Sequence, residues 1–210
     1  MSHTITAQPG VSALQVTSPP WRYNTSSWSQ RLRIAGIAMV GVVISSYLAA
    51  YQWGWIDSVW DPIWGEQSAR VLDSETSHQM QRWMGIPDAA LGALAYLGDV
   101  LFGLAGSTRR WQYRPWLVVV FGIDVIPLGL VGAILVFLQA TVVGYWCFLC
   151  IVSAVISLIL IVLAYDEVWS SLMFLRRVWR RTRSARIVWS VFWGRADAQA
   201  DSVALEGART

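Results

Sequence analysis

The chain contains two cysteines, Cys147 and Cys150, and their spacing offers the most specific chemistry in its 210 residues. Cysteines three residues apart on a helix share one face, with Cα atoms about 5 Å apart, which is within disulfide range. The apolar run 151–164 predicts a helix that begins at this pair. Free N–H groups and the helix dipole at such an N-terminus favour a thiolate on the first cysteine. We therefore predict a redox-active pair, with Cys147 as the reacting sulfur and Cys150 as the buried partner.

Other uses of two cysteines fit the sequence less well. Ile151 follows Cys150 at the position where a covalent haem attachment motif requires a histidine. A structural zinc site needs four ligands, and no histidine is near the pair in sequence, so we expect no metal. A thioredoxin-like motif requires strands and helices in alternation, a pattern that the chain lacks. Two inert buried thiols are the remaining alternative, because free cysteine packs well in apolar surroundings.

Four long apolar segments must position the pair. The chain is 55% hydrophobic and 14% charged, and each segment has the length of about 20 residues that crosses a bilayer core. The segments are 34–53, 86–106, 116–139 and 142–163. Helices satisfy every backbone polar group within lipid. We predict an all-α membrane protein whose four-transmembrane-helix bundle covers residues 31–165. A soluble all-α bundle is the alternative.

The charged residues indicate how this bundle lies in the membrane. All 16 basic residues are arginines, and they concentrate before the first span, between the second and third, and after the fourth. The loop 54–85 is mainly acidic, and basic residues favour the cytoplasmic side. We therefore expect a multi-pass protein of a bacterial inner membrane, with both termini in the cytoplasm and the cysteine pair at the oxidising outer face. The same asymmetry argues against nucleic acid as a partner.

The segments outside the bundle are polar or mixed. Prolines and small polar residues predict a flexible cytoplasmic tail for 1–30, and 196–210 is expected to be a disordered tail. Residues 166–195 combine arginines with tryptophans and aliphatic residues. This pattern predicts a basic amphipathic helix on the membrane surface, attracted to anionic lipid. A helix that docks a partner protein is the rival interpretation.

Aromatic residues surround the cysteine pair and crowd the outer loop. Tyr145 and Trp146 directly precede Cys147, and Trp60 and Trp64 lie in the loop. A lipid-soluble quinone is the natural electron acceptor for a dithiol within a bilayer, and quinone pockets have apolar walls with a few polar anchors. We predict that these rings frame a quinone. An aromatic belt at the level of the lipid headgroups is the alternative.

Two short segments carry a family resemblance. Residues 68–74 read Ser-Ala-Arg-Val-Leu-Asp-Ser, and residues 85–92 read Gly-Ile-Pro-Asp-Ala-Ala-Leu-Gly. Together with the four spans and a C-x-x-C pair at the outer start of the fourth, they resemble the vitamin K epoxide reductase family over residues 34–164. Ser74 matches a serine in the family's outer loop. The resemblance implies a four-helix bundle around a quinone, with electrons passing from thiols to the quinone.

The chain departs from the family at two points. The family usually carries a second cysteine pair in the first outer loop, which passes electrons from partner proteins. Here Ser68 stands at the second of these positions, and the first falls near Trp60 or Asp61, so we expect Ser68 and Ser74 to have structural or regulatory roles. Asp88 stands where the family often has an asparagine that hydrogen-bonds the quinone. The pair on the quinone side is therefore present, while the usual relay that feeds it is missing.

These patterns predict an enzyme, a membrane thiol–quinone oxidoreductase in which Cys147 and Cys150 are oxidised by a bound quinone. An extracytoplasmic thiol protein or a small thiol would reduce them. Cys150 would attack or bind near the quinone, and Asp88 or Tyr145 would hydrogen-bond the quinone carbonyl. The alternative is a non-catalytic subunit that holds the fold, or a quinone, within a larger membrane complex. A carrier that uses intramembrane acids is disfavoured, because the four spans show no inverted repeat.

Overall fold

The computed structural model describes residues 17–195 and 197–207, and every regular element in these ranges is helical. In chain order the helices are α1 (Trp28–Gln52), α2 (Gln67–Leu72), α3 (Glu75–Met84), α4 (Asp88–Leu104), α5 (Arg110–Tyr113), α6 (Pro115–Leu138), α7 (Phe148–Thr182), α8 (Ala185–Phe192) and α9 (Ala198–Gly207). A π-helical turn, Gln139–Val143, continues α6. The prediction of an all-helical protein is confirmed for the described ranges.

Length and hydropathy single out the helices that can cross a membrane. α1, α6 together with its π turn, and α7 each meet both conditions. α3 and α4 meet them only as one span, bent by 59° at their junction. The 17 residues of α4 alone give about 26 Å of helix, slightly less than the hydrocarbon core of a bilayer. The chain is therefore an integral membrane protein with three or four candidate spans.

Four helices enclose the core of the bundle. α1 packs along α4, α6 packs along α7, and contacts of α1 with α7 and of α4 with α6 close the ring. Ile34 and Phe121 are fully buried where these helices meet. Tyr96 reaches across from α4: its ring lies against Gly41 of α1, and its hydroxyl donates to the carbonyl oxygen of Ser153 on α7 at 2.6 Å. This contact fixes the spacing of α1, α4 and α7.

The third predicted span ends in a turn that reverses the chain. The π turn that continues α6 leads to Gly144, whose φ of +72° lies in the left-handed region that favours glycine. α7 then begins at Phe148, so the prediction that the fourth span starts at residue 142 is wrong. Val142 and Val143 are apolar, but they belong to the turn, and hydropathy alone does not distinguish a turn from a helix.

The C-terminal region differs from the predicted division at residue 166. α7 runs through this position and has 35 residues, because no glycine or proline interrupts it. α8 and α9 pack on α7, and a second apolar cluster forms around Trp111, Phe174 and Val178. The prediction of a disordered tail is therefore wrong for α9. Ala196 and residues 208–210 lie outside the described ranges.

A buried ion pair ties the loop between α4 and α6 to α7. Arg110 Nε donates to Glu167 Oε1 and Nη2 donates to Oε2, both at 2.6 Å, and both side chains are buried. The same guanidinium donates to the carbonyl oxygens of Gly103 at 3.1 Å and Ala105 at 2.8 Å. Arg31 of α1 also donates to Gly103 O, at 2.8 Å. These bonds join α1, α4 and α7 at the end of the bundle opposite the disulfide.

Residues 17–27, part of the predicted flexible tail, instead pack against α7. Trp21 Nε1 donates to the carbonyl oxygen of Asp166 at 3.1 Å, and Ser170 Oγ donates to that of Ser18 at 3.3 Å. Burial, together with a hydrogen bond to Asp166, raises the pKa of Tyr23 to about 12. The prediction of a flexible tail is therefore wrong for this stretch, and residues 1–16 lie outside the described ranges.

Candidate redox site

Cys147 and Cys150 are joined by a disulfide bond at the start of α7, with Cα atoms 5.3 Å apart. Cys147 is the N-cap of the helix, and its Sγ accepts the N–H of Cys150 at 3.2 Å. Gln139, buried at the beginning of the π turn, accepts the N–H of Cys147 with Oε1 at 3.2 Å. The pair therefore lies between the turn that ends α6 and the first turn of α7.

The burial of the two cysteines is the reverse of the prediction. Cys147 is fully buried, whereas Cys150 is half-buried and lines a cavity inside the bundle. The prediction relied on the helix dipole, which favours charge on the first sulfur but does not determine which sulfur the rest of the fold covers. Cys150 is therefore the sulfur that a molecule in the cavity can reach.

This cavity has a volume of about 400 Å³. Its walls come from α1, α4, α6 and α7, and α2 and α3 contribute further lining. Most lining side chains are apolar; the polar ones are Ser45, Ser74, Thr76, Ser77, Asp88, Tyr96, Asp124, Gln139, Cys150, Ser153 and Ser157. The volume and this mixture are typical of small-molecule sites. Within the described residues, no group of three or more His, Cys, Asp or Glu side chains could hold a metal ion.

Gln52, Ser77 and Asp88 form a polar group, here called the Asp88 cluster, where α1, α3 and the start of α4 meet. Gln52 Nε2 donates to Ser77 Oγ at 2.9 Å and to Asp88 Oδ1, while Gln52 Oε1 accepts the N–H of Ala89 at 3.3 Å. Ser77 Oγ in turn donates to Asp88 Oδ1 at 3.4 Å. Ser74 caps α3 by accepting the N–H of Ser77 at 3.3 Å. The predicted residue Asp88 thus lies at the cavity, oriented by Gln52, which the sequence did not single out.

Asp61 fastens the loop 53–66, here called the Asp61 loop, to the first residue of α7. Its Oδ2 accepts the hydroxyl of the buried Ser68 at 2.6 Å and the N–H of Phe148 at 3.2 Å. Its Oδ1 accepts the N–H groups of Ile63 at 2.9 Å and Trp64 at 2.7 Å. Burial alone would raise the pKa of Asp61, but these four hydrogen bonds outweigh it and hold that pKa below its ordinary value of 3.8. A charged side chain therefore holds the loop over the start of α7.

Comparison with known families finds a match to this part of the chain. A model of the vitamin K epoxide reductase family matches residues 32–165, more than half of the chain. The chain belongs to the vitamin K epoxide reductase family. A search of curated proteins returned no match. Membership in the vitamin K epoxide reductase family indicates membrane thiol–disulfide oxidoreductase activity in general, and this family is associated with quinone substrates. The match includes the disulfide, the cavity and the Asp61 loop, and it excludes α8 and α9.

The four aromatic residues that the sequence predicts to frame a quinone make three separate contacts near the start of α7: they are Trp60, Trp64, Tyr145 and Trp146. Trp60 meets the ring of Phe148 edge to face with centroids 6.2 Å apart, and Trp64 stacks on Trp146 at 6.0 Å. Arg70 Nη1 donates to the Tyr145 hydroxyl at 3.2 Å. None of the four belongs to the cavity lining. The expectation that they frame the pocket is therefore corrected, because Asp61 draws the loop onto the start of α7.

Proposed function

We propose that this family member is a membrane thiol–quinone oxidoreductase, in which the Cys147–Cys150 pair passes two electrons to a quinone held in the cavity. The observation that carries the proposal is the position of Cys150. It forms one half of the disulfide, and it also lines the cavity of about 400 Å³. Aliphatic walls with a few polar anchors suit a flat apolar ring.

The two thiols supply everything that a quinone takes up. Each sulfur gives one electron and one proton as the S–S bond forms, and the quinone becomes a hydroquinone. Cys150 faces the cavity and is the sulfur placed next to the ring, while Cys147 closes the bond. The Cys150 N–H that Cys147 Sγ accepts at 3.2 Å would stabilise negative charge on Cys147 as its proton leaves, as the helix N-terminus does.

A thiol donor must then reduce the disulfide again. An extracytoplasmic thiol protein or a small thiol does so when its thiolate attacks one of the two sulfurs and forms a mixed disulfide. Cys147 is fully buried, and the loop that Asp61 fastens to Phe148 lies at the start of the same helix. The donor therefore reaches Cys147 only when this loop moves away from α7.

The arginine distribution supports a placement of the chain in the membrane. In this proposal α4 is the second of four spans, both termini are cytoplasmic, and the disulfide lies at the outer face of a bacterial inner membrane. Trp179, Trp189 and Trp193 are exposed in the arginine-rich C-terminal region. Exposed tryptophans beside basic residues are typical of segments that lie on an anionic membrane surface.

Complete burial of Cys147 also favours a second candidate function. A subunit that holds a quinone within a larger membrane complex needs no route from solvent to the disulfide. Trp55, Trp60 and Trp83 are exposed on the outer loop and α3, and they offer apolar surface to other subunits. In this case the disulfide would stabilise the start of α7 without turnover.

Turnover distinguishes the two functions. The full-length protein in lipid nanodiscs is mixed with dithiothreitol and decylubiquinone, and quinone reduction is followed by absorbance. We expect the wild type to exceed the uncatalysed rate and Cys150→Ala to lose this excess. Equal rates for the two proteins would refute the enzyme. Val155→Ala is the matched control, because Val155 lies on the same helix with an exposed side chain and should turn over normally. Quinone that binds to the wild type without turnover would support the second function.

A further inference from the structure

The hydrogen bonds of the Asp88 cluster all run toward Asp88, because the orientation of the Gln52 side-chain amide is fixed. Gln52 Oε1 accepts the N–H of Ala89 at 3.3 Å, one of the free N–H groups at the start of α4. The NH₂ end must therefore point the other way, and it donates to Ser77 Oγ and to Asp88 Oδ1. Because Ser77 Oγ accepts from Gln52, its own hydroxyl hydrogen is free to donate to Asp88 Oδ1, at 3.4 Å. Both neighbours thus donate to Asp88.

The second oxygen of Asp88 is left for a ligand. Asp88 lines the cavity, and no donor in the described part of the chain bonds its Oδ2. A carboxylate offers acceptors and has no hydrogen to donate. At this point the cavity therefore presents a hydrogen-bond acceptor with a negative charge.

Quinones and hydroquinones differ in what they present to such a group. A quinone carries carbonyl oxygens, which only accept, whereas a hydroquinone carries hydroxyl groups, which donate. Two acceptors that face each other repel, and each loses the partner it had in water. A hydroxyl facing Asp88 Oδ2 forms instead a charge-assisted hydrogen bond, the stronger kind. Hydroxyl groups of the lining, such as Ser74, serve both forms because they donate and accept.

We propose that Asp88, oriented by Gln52 and Ser77, makes the cavity select the hydroquinone form of its ligand over the quinone form. This proposal rests on the proposed quinone site and replaces the expectation that Asp88 hydrogen-bonds a quinone carbonyl. Because the two forms bind with different affinities, the bound couple has a higher reduction potential than the free couple. A tenfold preference corresponds to about 30 mV for a two-electron couple. Asp88 thereby favours electron flow from Cys147 and Cys150 to the ring.

Binding without turnover tests the proposal. The full-length chain carries Cys147→Ala and Cys150→Ala, so that no electrons exchange, and is reconstituted in nanodiscs under argon. Dissociation constants are measured for decylubiquinol and decylubiquinone, with Asp88 present and in Asp88→Asn. We expect at least a tenfold preference for decylubiquinol with Asp88. We expect the Asp88→Asn variant to shift the ratio at least tenfold toward decylubiquinone, because an amide of the same shape can donate.

Two further variants keep the result interpretable. Asp73→Asn removes a charge from the same outer region, where Asp73 accepts the Tyr51 hydroxyl at 2.9 Å outside the cavity lining, and it should leave the ratio unchanged. Asp88→Ser, whose hydroxyl both donates and accepts, should give an intermediate ratio and replaces Asp88→Asn if that variant does not fold. An equal ratio in all proteins, or a quinone preference with Asp88, overturns the inference alone. Failure of both ligands to bind overturns the quinone site as well.

Discussion

Ser68 Oγ donates a hydrogen bond of 2.6 Å to Asp61 Oδ2, and the same oxygen accepts the N–H of Phe148 at 3.2 Å. The family resemblance places one loop cysteine at Ser68 and the other near Trp60 or Asp61, so this hydrogen bond lies in the region where the family usually has a cysteine pair. A hydrogen-bonded tether carries no electrons. It also opens without reduction, which gives the loop a way to uncover the disulfide that a second disulfide lacks.

Removal of the tether should expose the disulfide. In Asp61→Ala the N–H groups of Ile63, Trp64 and Phe148 lose their acceptor, and the loop should open more often. We expect a soluble phosphine to reduce the Cys147–Cys150 bond about tenfold faster. A tenfold change corresponds to a loss of about 1.4 kcal/mol from the free energy that keeps the loop closed. Asp57→Ala is the control, because Asp57 is exposed in the same loop and forms no side-chain hydrogen bond within the described residues. Equal rates for wild type and Asp61→Ala would show that the loop does not gate the disulfide.

The pKa of Asp61 sets the pH range in which the tether holds. Its pKa in the folded protein lies below the ordinary 3.8 because four hydrogen bonds outweigh burial. A lowered pKa contributes stability above the ordinary pKa, and this contribution is lost as pH falls through the folded value. The ratio of reduction rates, Asp61→Ala over wild type, should therefore stay constant from about pH 8 to pH 5 and decline only in stronger acid. The ratio cancels the titration of the phosphine. A decline already near neutral pH contradicts this assignment of the tether.

Filling the cavity beside Cys150 should separate the two half-reactions. Ala154 lies one helical turn after Cys150, is 6% exposed and lines the cavity. Ala154→Phe should abolish decylubiquinone reduction. The rate at which a small thiol reduces the disulfide should stay within about twofold of the wild-type rate. Overpacking lowers the stability of the fold by about 1–3 kcal/mol, but it leaves the disulfide in place. Val155→Phe, one residue later and 49% exposed, adds the same ring away from the cavity. Equal quinone turnover in both variants would place the quinone elsewhere.

The features of the site that sequence reasoning found are those that depend on neighbours in the chain. The spacing of Cys147 and Cys150, followed by an apolar run, defines a helix start whatever surrounds it. Run lengths likewise identify the spanning helices. The relative burial of the two cysteines depends on the loop and the π turn that pack on them, and the helix dipole argument contains neither. The prediction that Cys150 is the buried member of the pair therefore failed.

Features that depend on distant partners were missed. Gln52 is a polar residue at the end of an apolar helix, and its partner Asp88 lies in another helix 36 residues further along the chain. Only the packing of α1 on α4 brings the two together. The disordered tail was mispredicted for a similar reason: α9 is weakly apolar alone, but Ala200 and Val203 become buried in the cluster around Trp111. The sequence did contain one indication for Gln52: it is a polar residue at the end of an apolar run, and a polar side chain in such a place needs a hydrogen-bond partner when it is buried.

The buried ion pair at the other end of the bundle should dominate stability. Glu167→Ala leaves the Arg110 guanidinium buried with only carbonyl partners, and breaking such a pair from one side costs about 3–5 kcal/mol. We expect a large loss of thermal stability in detergent, measured by the temperature at which tryptophan fluorescence changes. Glu75→Ala is the matched control, because Glu75 pairs with Arg82 on the surface, where both side chains are more than half exposed and a pair contributes about 0–1 kcal/mol. Glu167→Gln should lie between the two, since its amide oxygen still accepts from Arg110. If Glu167→Ala unfolds at the same temperature as the control, the pair does not hold together the helix ends opposite the disulfide.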